Sequence, residues 1–102
     1  MPLFLIERTF AEELEASAES VGRILDINKQ VGVHWLFSFL SADKRKTYCL
    51  YEAPSTDALR EAARRLGLPV DTIVEVSELD PLKILNPGEA ARPGGFASIE
   101  AG

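Results

Sequence analysis

The sequence predicts a single α+β domain in which a four-stranded antiparallel sheet carries two helices on one face. Segments rich in apolar and β-branched residues alternate with segments of helical spacing in the order strand, helix, strand, strand, helix, strand. The composition, with 46% hydrophobic and 26% charged residues in 102 residues, is typical of one globular domain with one core. These two observations predict the fold class.

The first strand and the first helix follow from the beginning of the chain. Residues 3–7 are almost wholly apolar and predict a buried central strand. Thr9 with Glu12 three residues later matches a capping box, so we predict a helix that begins there and ends near Asn28. Its apolar stripe is expected to comprise Leu14, Ala18, Val21 and Leu25.

A hairpin, a second helix and a last strand complete the pattern. Residues 31–40 and 47–52 are rich in aromatic and β-branched residues, and the polar segment 42–46 between them predicts a turn. We expect the second helix to begin at Ser55 and to end before Gly67, because serine favours helix starts and glycine adopts the left-handed conformation that follows a helix. Residues 72–76 are expected to form the fourth strand.

The hairpin predicts that both faces of the sheet are apolar. Pairing of Ser41 with Thr47 would place Trp35, Phe37, Phe39, Cys49 and Tyr51 on one face, and Leu36, Ser38, Leu40, Tyr48 and Leu50 on the other. Two short helices cover only one face, and a large exposed apolar patch is unusual on a monomer. We therefore expect a homodimer packed through the open sheet face. The alternative is a monomer whose own tail covers that face.

The composition changes after residue 80. Prolines and glycines interrupt residues 81–102, and helical or strand periodicity is lost beyond a short apolar run. We predict a ferredoxin-like domain over residues 1–80 and a C-terminal tail over residues 81–102. The first part of the tail is expected to dock on the domain or on a partner, and residues 89–102 are expected to be mobile.

Charge and cysteine content narrow the functional classes. The net charge of −5 argues against a nucleic-acid partner, because phosphate binding depends on clustered lysine and arginine. The sequence shows no signal peptide and no apolar run approaching the ~20 residues of a membrane span, so we expect a cytoplasmic protein without a membrane partner. The single cysteine, Cys49, agrees with a reducing compartment and is expected to be a small buried hydrophobic residue.

Two groups of residues are candidates for binding. His34, the one histidine, forms with Glu7 and Glu52 the candidate ligand set for a divalent metal, although a closed site normally needs four such ligands. Trp35, Tyr51 and Arg8 are candidates for contacting a small molecule, since an apolar aromatic wall with a few polar groups is typical of ligand pockets. The aromatic residues equally suit the core of a dimer interface, and Arg8 equally suits a solvated position at the start of the first helix.

Four stretches resemble one known family. They are PLFLIERTF at residues 2–10, VHWL at residues 33–36, TYCLYEAP at residues 47–54 and LPVDTIVEV at residues 68–76. They are similar to the small bacterial domain-of-unknown-function family of nickel-binding, ferredoxin-like proteins, over roughly residues 2–80. The resemblance implies a ferredoxin-like βαββαβ fold, a homodimer, and nickel or another divalent metal at histidine-rich sites.

The chain departs from that family at the implied metal site. The resemblance implies histidines at the end of the first strand and in both helices of metal-competent members. This chain has Arg8 at the end of the first strand, Arg64 and Arg65 in the second helix, and no histidine in the first. His34, in the predicted second strand, is the one histidine that this chain has.

Three functions are compatible with these features. The leading hypothesis is a cytoplasmic ferredoxin-like dimer that binds a divalent metal weakly through His34 and carboxylates. The first alternative is a small-molecule-binding protein or an isomerase- or monooxygenase-type enzyme of the dimeric α+β barrel class, with Tyr51, Arg8 and Glu7 in the site. The second alternative is a protein-interaction module. The sequence names no substrate, reaction or physiological partner.

Overall fold

The computed structural model describes residues 1–88. Residues 3–76 follow the predicted order of strands and helices, and a short third helix that was not predicted lies in the expected tail. The strands are β1 (Leu3–Thr9), β2 (His34–Leu40), β3 (Lys46–Glu52) and β4 (Thr72–Val76), and the helices are α1 (Ala18–Val31), α2 (Thr56–Leu66) and α3 (Pro81–Leu85). The sheet is antiparallel with the strand order β2-β3-β1-β4. The predicted ferredoxin-like fold is therefore confirmed. The expected mobility of residues 89–102 concerns residues outside the described part of the chain.

One face of the sheet forms the core together with α1 and α2. Side chains alternate between the two faces along a strand, and β1 and β3 bury every second residue on the helix side. Phe4 and Ile6 of β1 lie opposite Tyr51 and Cys49 of β3, and all four are buried. The apolar stripe of α2, which includes Leu59, packs against them.

The ends of α2 lie where local sequence signals predict them. The Ser55 side chain accepts a hydrogen bond from the backbone N–H of Ala58, at 3.2 Å, and so caps the first turn. Gly67 follows the last turn with a φ of 67°, which is the left-handed region that favours glycine. Both signals are local, and both predictions are confirmed.

The predicted start of α1 is wrong. Thr9 belongs to β1 and lies opposite Lys46, whereas α1 begins at Ala18 with Ser17 as its cap. The hydroxyl of Ser17 accepts a hydrogen bond from the N–H of Ser20, and the hydroxyl of Ser20 accepts one from the N–H of Ser17. Pairing with β3 keeps Thr9 extended, and the capping-box pattern contains no information about that distant contact.

Residues 10–17 form an irregular segment between β1 and α1. The backbone N–H of Phe10 donates to the carbonyl of Arg45, and the N–H of Leu14 donates to the carbonyl of Lys44, both at 2.7 Å. The segment is thereby tied to the turn between β2 and β3. The predicted apolar stripe of α1 is also wrong, because Leu14 lies before the helix and Leu25 remains 48% exposed, whereas Ile27 and Val31 pack against the core.

The predicted register of the hairpin is wrong by one residue next to the turn and by two residues beyond Leu36. Leu40, and not Ser41, pairs with Thr47, and a β-bulge lies between Trp35 and Phe37. The bulge inserts one extra residue, Leu36. The regular alternation of side chains between the two faces of the sheet is therefore interrupted at that point. Trp35 therefore shares the helix face with Tyr51, while Phe37 and Phe39 point to the open face, which contradicts the predicted grouping of the three aromatic residues.

The open face of the sheet is apolar, as predicted. It carries Leu3, Leu5, Phe37, Phe39, Leu50, Val74 and Val76. The rings of Phe37 and Phe39 meet edge to face with centroids 5.5 Å apart, and Phe39 is 64% exposed. The short helix α3 does not shield this surface, because its own apolar residues Ile84 and Leu85 are exposed as well.

Within residues 1–88, no helix is long and apolar enough to span a membrane.

Candidate ligand-binding site

A cavity of about 190 Å³ lies on the helix side of the sheet. Its floor is formed by the inward-facing residues of three adjacent strands, and its remaining wall comes from the irregular segment 10–17, α1 and the loop after α2. The lining residues are Arg8, Phe10, Leu14, Ala16, Ile24, Trp35, Ser38, Leu40, Thr47, Cys49, Tyr51 and Leu68. The structure thus brings together the three predicted small-molecule contacts, Arg8, Trp35 and Tyr51, in the wall of one cavity.

Arg8 supplies the charge of the cavity. It is only 4% exposed because Phe4, Ile6 and Arg8 share the buried face of β1. One guanidinium nitrogen, Nη1, donates to the carbonyl of Pro69 at 2.7 Å, and the other, Nη2, donates to the hydroxyl of Tyr51 at 3.3 Å. Among residues 1–88, no carboxylate forms an ion pair with Arg8.

Tyr51 supplies a hydroxyl beside that charge. Burial raises the pKa of the Tyr51 phenol above its ordinary value, and the nearby Arg8 charge partly opposes the shift. The phenol therefore stays protonated at neutral pH and acts as a hydrogen-bond donor. Its oxygen already accepts from Arg8, whereas its O–H donates to none of the described residues.

Trp35 forms an aromatic wall next to these polar groups. The bulge turns Trp35 inward, directly across from Tyr51. Its indole Nε1–H donates to the Ser38 hydroxyl at 2.8 Å, which fixes the orientation of the ring in the cavity wall. Cys49 is buried in the same wall, and its thiol lies 3.5 Å from the hydroxyl of Thr47.

The predicted metal ligands are not brought together in one protomer. His34 and Glu52 pair across the hairpin, so these two side chains can approach each other. Glu7 lies four residues along β1 from Leu3, the residue opposite Glu52, which corresponds to about 13 Å. Its carboxylate forms an ion pair with Lys46 at 3.1 Å.

The donor set does not fit a nickel ion within one protomer. No group of three or more histidine, cysteine, aspartate or glutamate side chains is close enough to hold a metal in residues 1–88. His34 is exposed at the start of an edge strand, and Glu52 lies opposite it on β3. A nickel site with several imidazole or carboxylate ligands would need donors from elsewhere.

Arg8 was predicted as a candidate site residue, but its setting was not predicted. The two-residue alternation places Phe4, Ile6 and Arg8 on one face of β1, but Leu3 and Leu5 make the other face equally apolar, so the sequence does not distinguish the buried face. The contacts of Arg8 with Pro69 and Tyr51 join residues 61 and 43 positions away in the sequence, and no local pattern predicts them. The contributions of Leu14 and Ala16 were also missed, because those residues were expected in or near a helix.

The chain is similar to known proteins in its sequence and in its fold. A family profile described as "Nickel responsive protein SCO4226-like" matches residues 4–76. Among solved structures, the crystal structure of SCO4226 from Streptomyces coelicolor A3(2) has a TM-score of 0.66 and 22% sequence identity, and the match covers 76% of this chain and 99% of that chain. At this identity the likeness shows a shared fold. No curated protein matches the chain significantly.

Proposed function

This chain belongs to the SCO4226-like family of nickel-responsive proteins, and we propose that it is a binding protein for a small, largely apolar molecule. The observation that carries the proposal is the cavity on the helix side of the sheet, in which Trp35 faces Tyr51 and the buried Arg8. An apolar wall with a few convergent polar groups is the usual composition of a small-molecule site. The single tryptophan of the chain lies in that wall and provides a direct optical signal.

Binding is favoured over the isomerase- or monooxygenase-type alternative by the side chains that line the cavity. Proton abstraction needs a basic group within hydrogen-bond reach of the substrate. Within the described residues, the lining contains no histidine, aspartate or glutamate, and the raised pKa of Tyr51 keeps its phenol protonated. Glu7, the other candidate for such chemistry, lies on the open face with Lys46.

The test uses two small aromatic compounds that differ only in their polar group, phenylacetate and 2-phenylethanol. We expect at least one of them to change the emission of Trp35 in a saturable manner, because the ring would lie against the indole. Phenylalanine at position 16 should block the cavity mouth, so the response should be lost in Ala16→Phe.

The matched control is Ala11→Phe, which adds the same bulk to the same irregular segment outside the cavity lining. This variant should keep the response of the wild-type protein. Absence of saturable binding by both compounds, or equal binding by the Ala16→Phe variant, would contradict the proposed ligand site.

A second candidate function is weak binding of nickel or another divalent metal. It is favoured by the description of the family and by the cross-strand pair of His34 and Glu52. Two ligands from one protomer hold a divalent ion weakly, because stable sites use three or more protein ligands. In a nickel titration, His34→Ala should weaken binding at least about tenfold. Unchanged nickel affinity in this variant would remove His34 from any metal site.

We also propose that the protein is a homodimer in the cytoplasm. The occupant of the open sheet face would be a second copy of the chain, because this face is apolar over all four strands and α3 leaves it uncovered. Of the charged residues on that face, Glu7 and Lys46 neutralise each other within the protomer, and Glu52 lies opposite His34 at the end of the hairpin. The reduced, buried Cys49 suits a reducing compartment.

A further inference from the structure

We infer that the cavity selects a monocarboxylate, an organic acid with one carboxylate group and a compact apolar body, and that Arg8 and Tyr51 bind the carboxylate. This inference rests on the proposed small-molecule site and adds the chemical class of the ligand. Its basis is a buried cation whose counter-charge is absent from the described residues.

A buried arginine requires compensation for the loss of water around its charge. Moving an unpaired charge from water into an apolar surrounding is strongly unfavourable unless hydrogen bonds or an opposite charge offset it. The neutral carbonyl of Pro69 and the phenol of Tyr51 provide hydrogen bonds but no charge. An anion in the cavity would supply the missing compensation.

The donors around Arg8 match the shape of a carboxylate. A guanidinium has five N–H donors in a planar fork, and two of them are bonded to described residues. The Tyr51 O–H remains free to donate, and the hydroxyl of Thr47, which lies opposite Arg8 in the sheet, also lines the cavity. Charge-assisted bonds from a guanidinium and a hydroxyl to two carboxylate oxygens satisfy both partners.

The number of charges distinguishes a carboxylate from a phosphate. Arg8 is the one charged side chain among the described residues that line the cavity. A phosphate monoester carries about −1.5 to −2 at neutral pH and would leave negative charge uncompensated in an apolar wall. A carboxylate carries one charge and is balanced by Arg8 alone.

The size of the cavity limits the body of the ligand. An engineered apolar cavity of about 150 Å³ takes up benzene, so a cavity of about 190 Å³ holds one aromatic ring or a short alkyl chain with a small polar group. Trp35, Phe10 and Ile24 provide flat and aliphatic surface for such a body. The inferred ligand class is therefore an aryl- or alkyl-substituted acetate or a similar small organic acid.

The experiment compares the affinities of phenylacetate, 2-phenylethanol and phenyl phosphate for the wild-type protein by calorimetry or Trp35 emission. We expect phenylacetate to bind at least about tenfold more tightly than 2-phenylethanol, which is the effect of hydrogen bonds to a charged group. Phenyl phosphate should bind more weakly than phenylacetate. This comparison requires no variant and therefore does not depend on the folding of a mutant.

Two variants test whether the preference for the acid over the alcohol comes from Arg8 and Tyr51. Arg8→Gln should reduce the affinity ratio of phenylacetate to 2-phenylethanol to near one, and Tyr51→Phe should reduce it by a smaller factor. Equal affinity of the wild-type protein for the acid and the alcohol would overturn the inference while leaving the apolar ligand site in place. Tighter binding of phenyl phosphate would replace the carboxylate by a phosphate, and a complete lack of binding would remove the ligand site itself.

Discussion

Arg8 and Tyr51 are two residues that connect parts of the fold and also form the proposed binding site. Through Pro69, Arg8 ties the central strand to the loop after α2, and through Tyr51 it joins β1 to β3. The same contacts hold the guanidinium in a fixed orientation at the cavity wall. A rigid, prepositioned charge binds a complementary group with little loss of side-chain entropy. The structural role of this pair therefore supports its proposed role in binding.

Tyr51 gives the protein a specific sensitivity to alkaline pH. Because burial raises the pKa of its phenol, the folded protein holds this proton more tightly than the unfolded chain. The resulting stabilisation is complete below the unfolded pKa of about 10 and is lost as the pH rises through the folded pKa. We expect the free energy of unfolding to fall above about pH 10 by up to about 1.4 kcal/mol per pH unit from this group.

Urea unfolding from neutral to alkaline pH tests this expectation. The Tyr51→Phe variant should lose the steep alkaline decline, whereas Tyr48→Phe, which changes a tyrosine on the open face, should retain it. Identical pH profiles for the wild-type protein and the Tyr51→Phe variant would show that Tyr51 is not the responsible group.

The bulge in β2 is the decisive feature at the level of elements. A regular strand would alternate strictly, so that Trp35 and Phe37 would share one face. The extra residue Leu36 instead directs Trp35 to the cavity and Phe37 to the open face. Because of this one inserted residue, Trp35 lies in the proposed ligand site and Phe37 lies on the open face.

Removal of Leu36 should therefore be tolerated. The pairs on either side of it, Trp35 with Tyr51 and Phe37 with Leu50, would become adjacent steps of a regular ladder, and both side chains would keep their facing. Leu36 is also 44% exposed, so little buried apolar surface is lost. We expect its deletion to change the free energy of unfolding by less than about 1.5 kcal/mol, measured by urea unfolding.

Deletion of Phe39 is the matched comparison. It would turn Ser38 toward the open face and Phe37 toward the helices, which places a phenyl ring in the cavity wall. We expect a loss of more than about 3 kcal/mol, since both burial and packing are disturbed. Similar losses in the two deletion variants would contradict the assignment of Leu36 as the bulged residue.

The two faces of the sheet have different partners at the level of the whole molecule. The helix face is covered by α1 and α2 and carries the cavity. The other face leaves Phe37, Phe39 and Val74 about half exposed or more. Symmetric dimers are the commonest oligomers, and a flat apolar sheet surface is well suited to packing against its own copy.

The dimer proposal predicts a change of mass on substitution of one open-face residue. Phe39→Glu places a charge within the proposed contact at its most exposed aromatic residue, and we expect the protein to become monomeric at micromolar concentration, as measured by light scattering. Leu25→Glu is the control, because Leu25 is a comparably exposed apolar residue on α1. This variant should remain dimeric. A monomeric wild-type protein would contradict the proposal.

The sequence by itself determined the order of the four strands and of α1 and α2, and it determined both ends of α2. These features depend on residues that are close in the chain, such as Ser55 at a helix start, Gly67 after a helix end, and the spacing of apolar residues along each element. They could be predicted because the physical cause of each lies within a few residues.

The tertiary structure alone decided the start of α1, the facing of the aromatic residues of β2 and the existence of the cavity. Thr9 stays extended because it pairs with β3, Trp35 faces inward because a bulge interrupts the hairpin, and Arg8 meets Tyr51 across the sheet. Each of these depends on free energy gained between distant segments, which outweighs the local preference of the residues involved. Arg8, Trp35 and Tyr51 could be chosen as candidates from the sequence, but only the tertiary structure shows that they line one cavity.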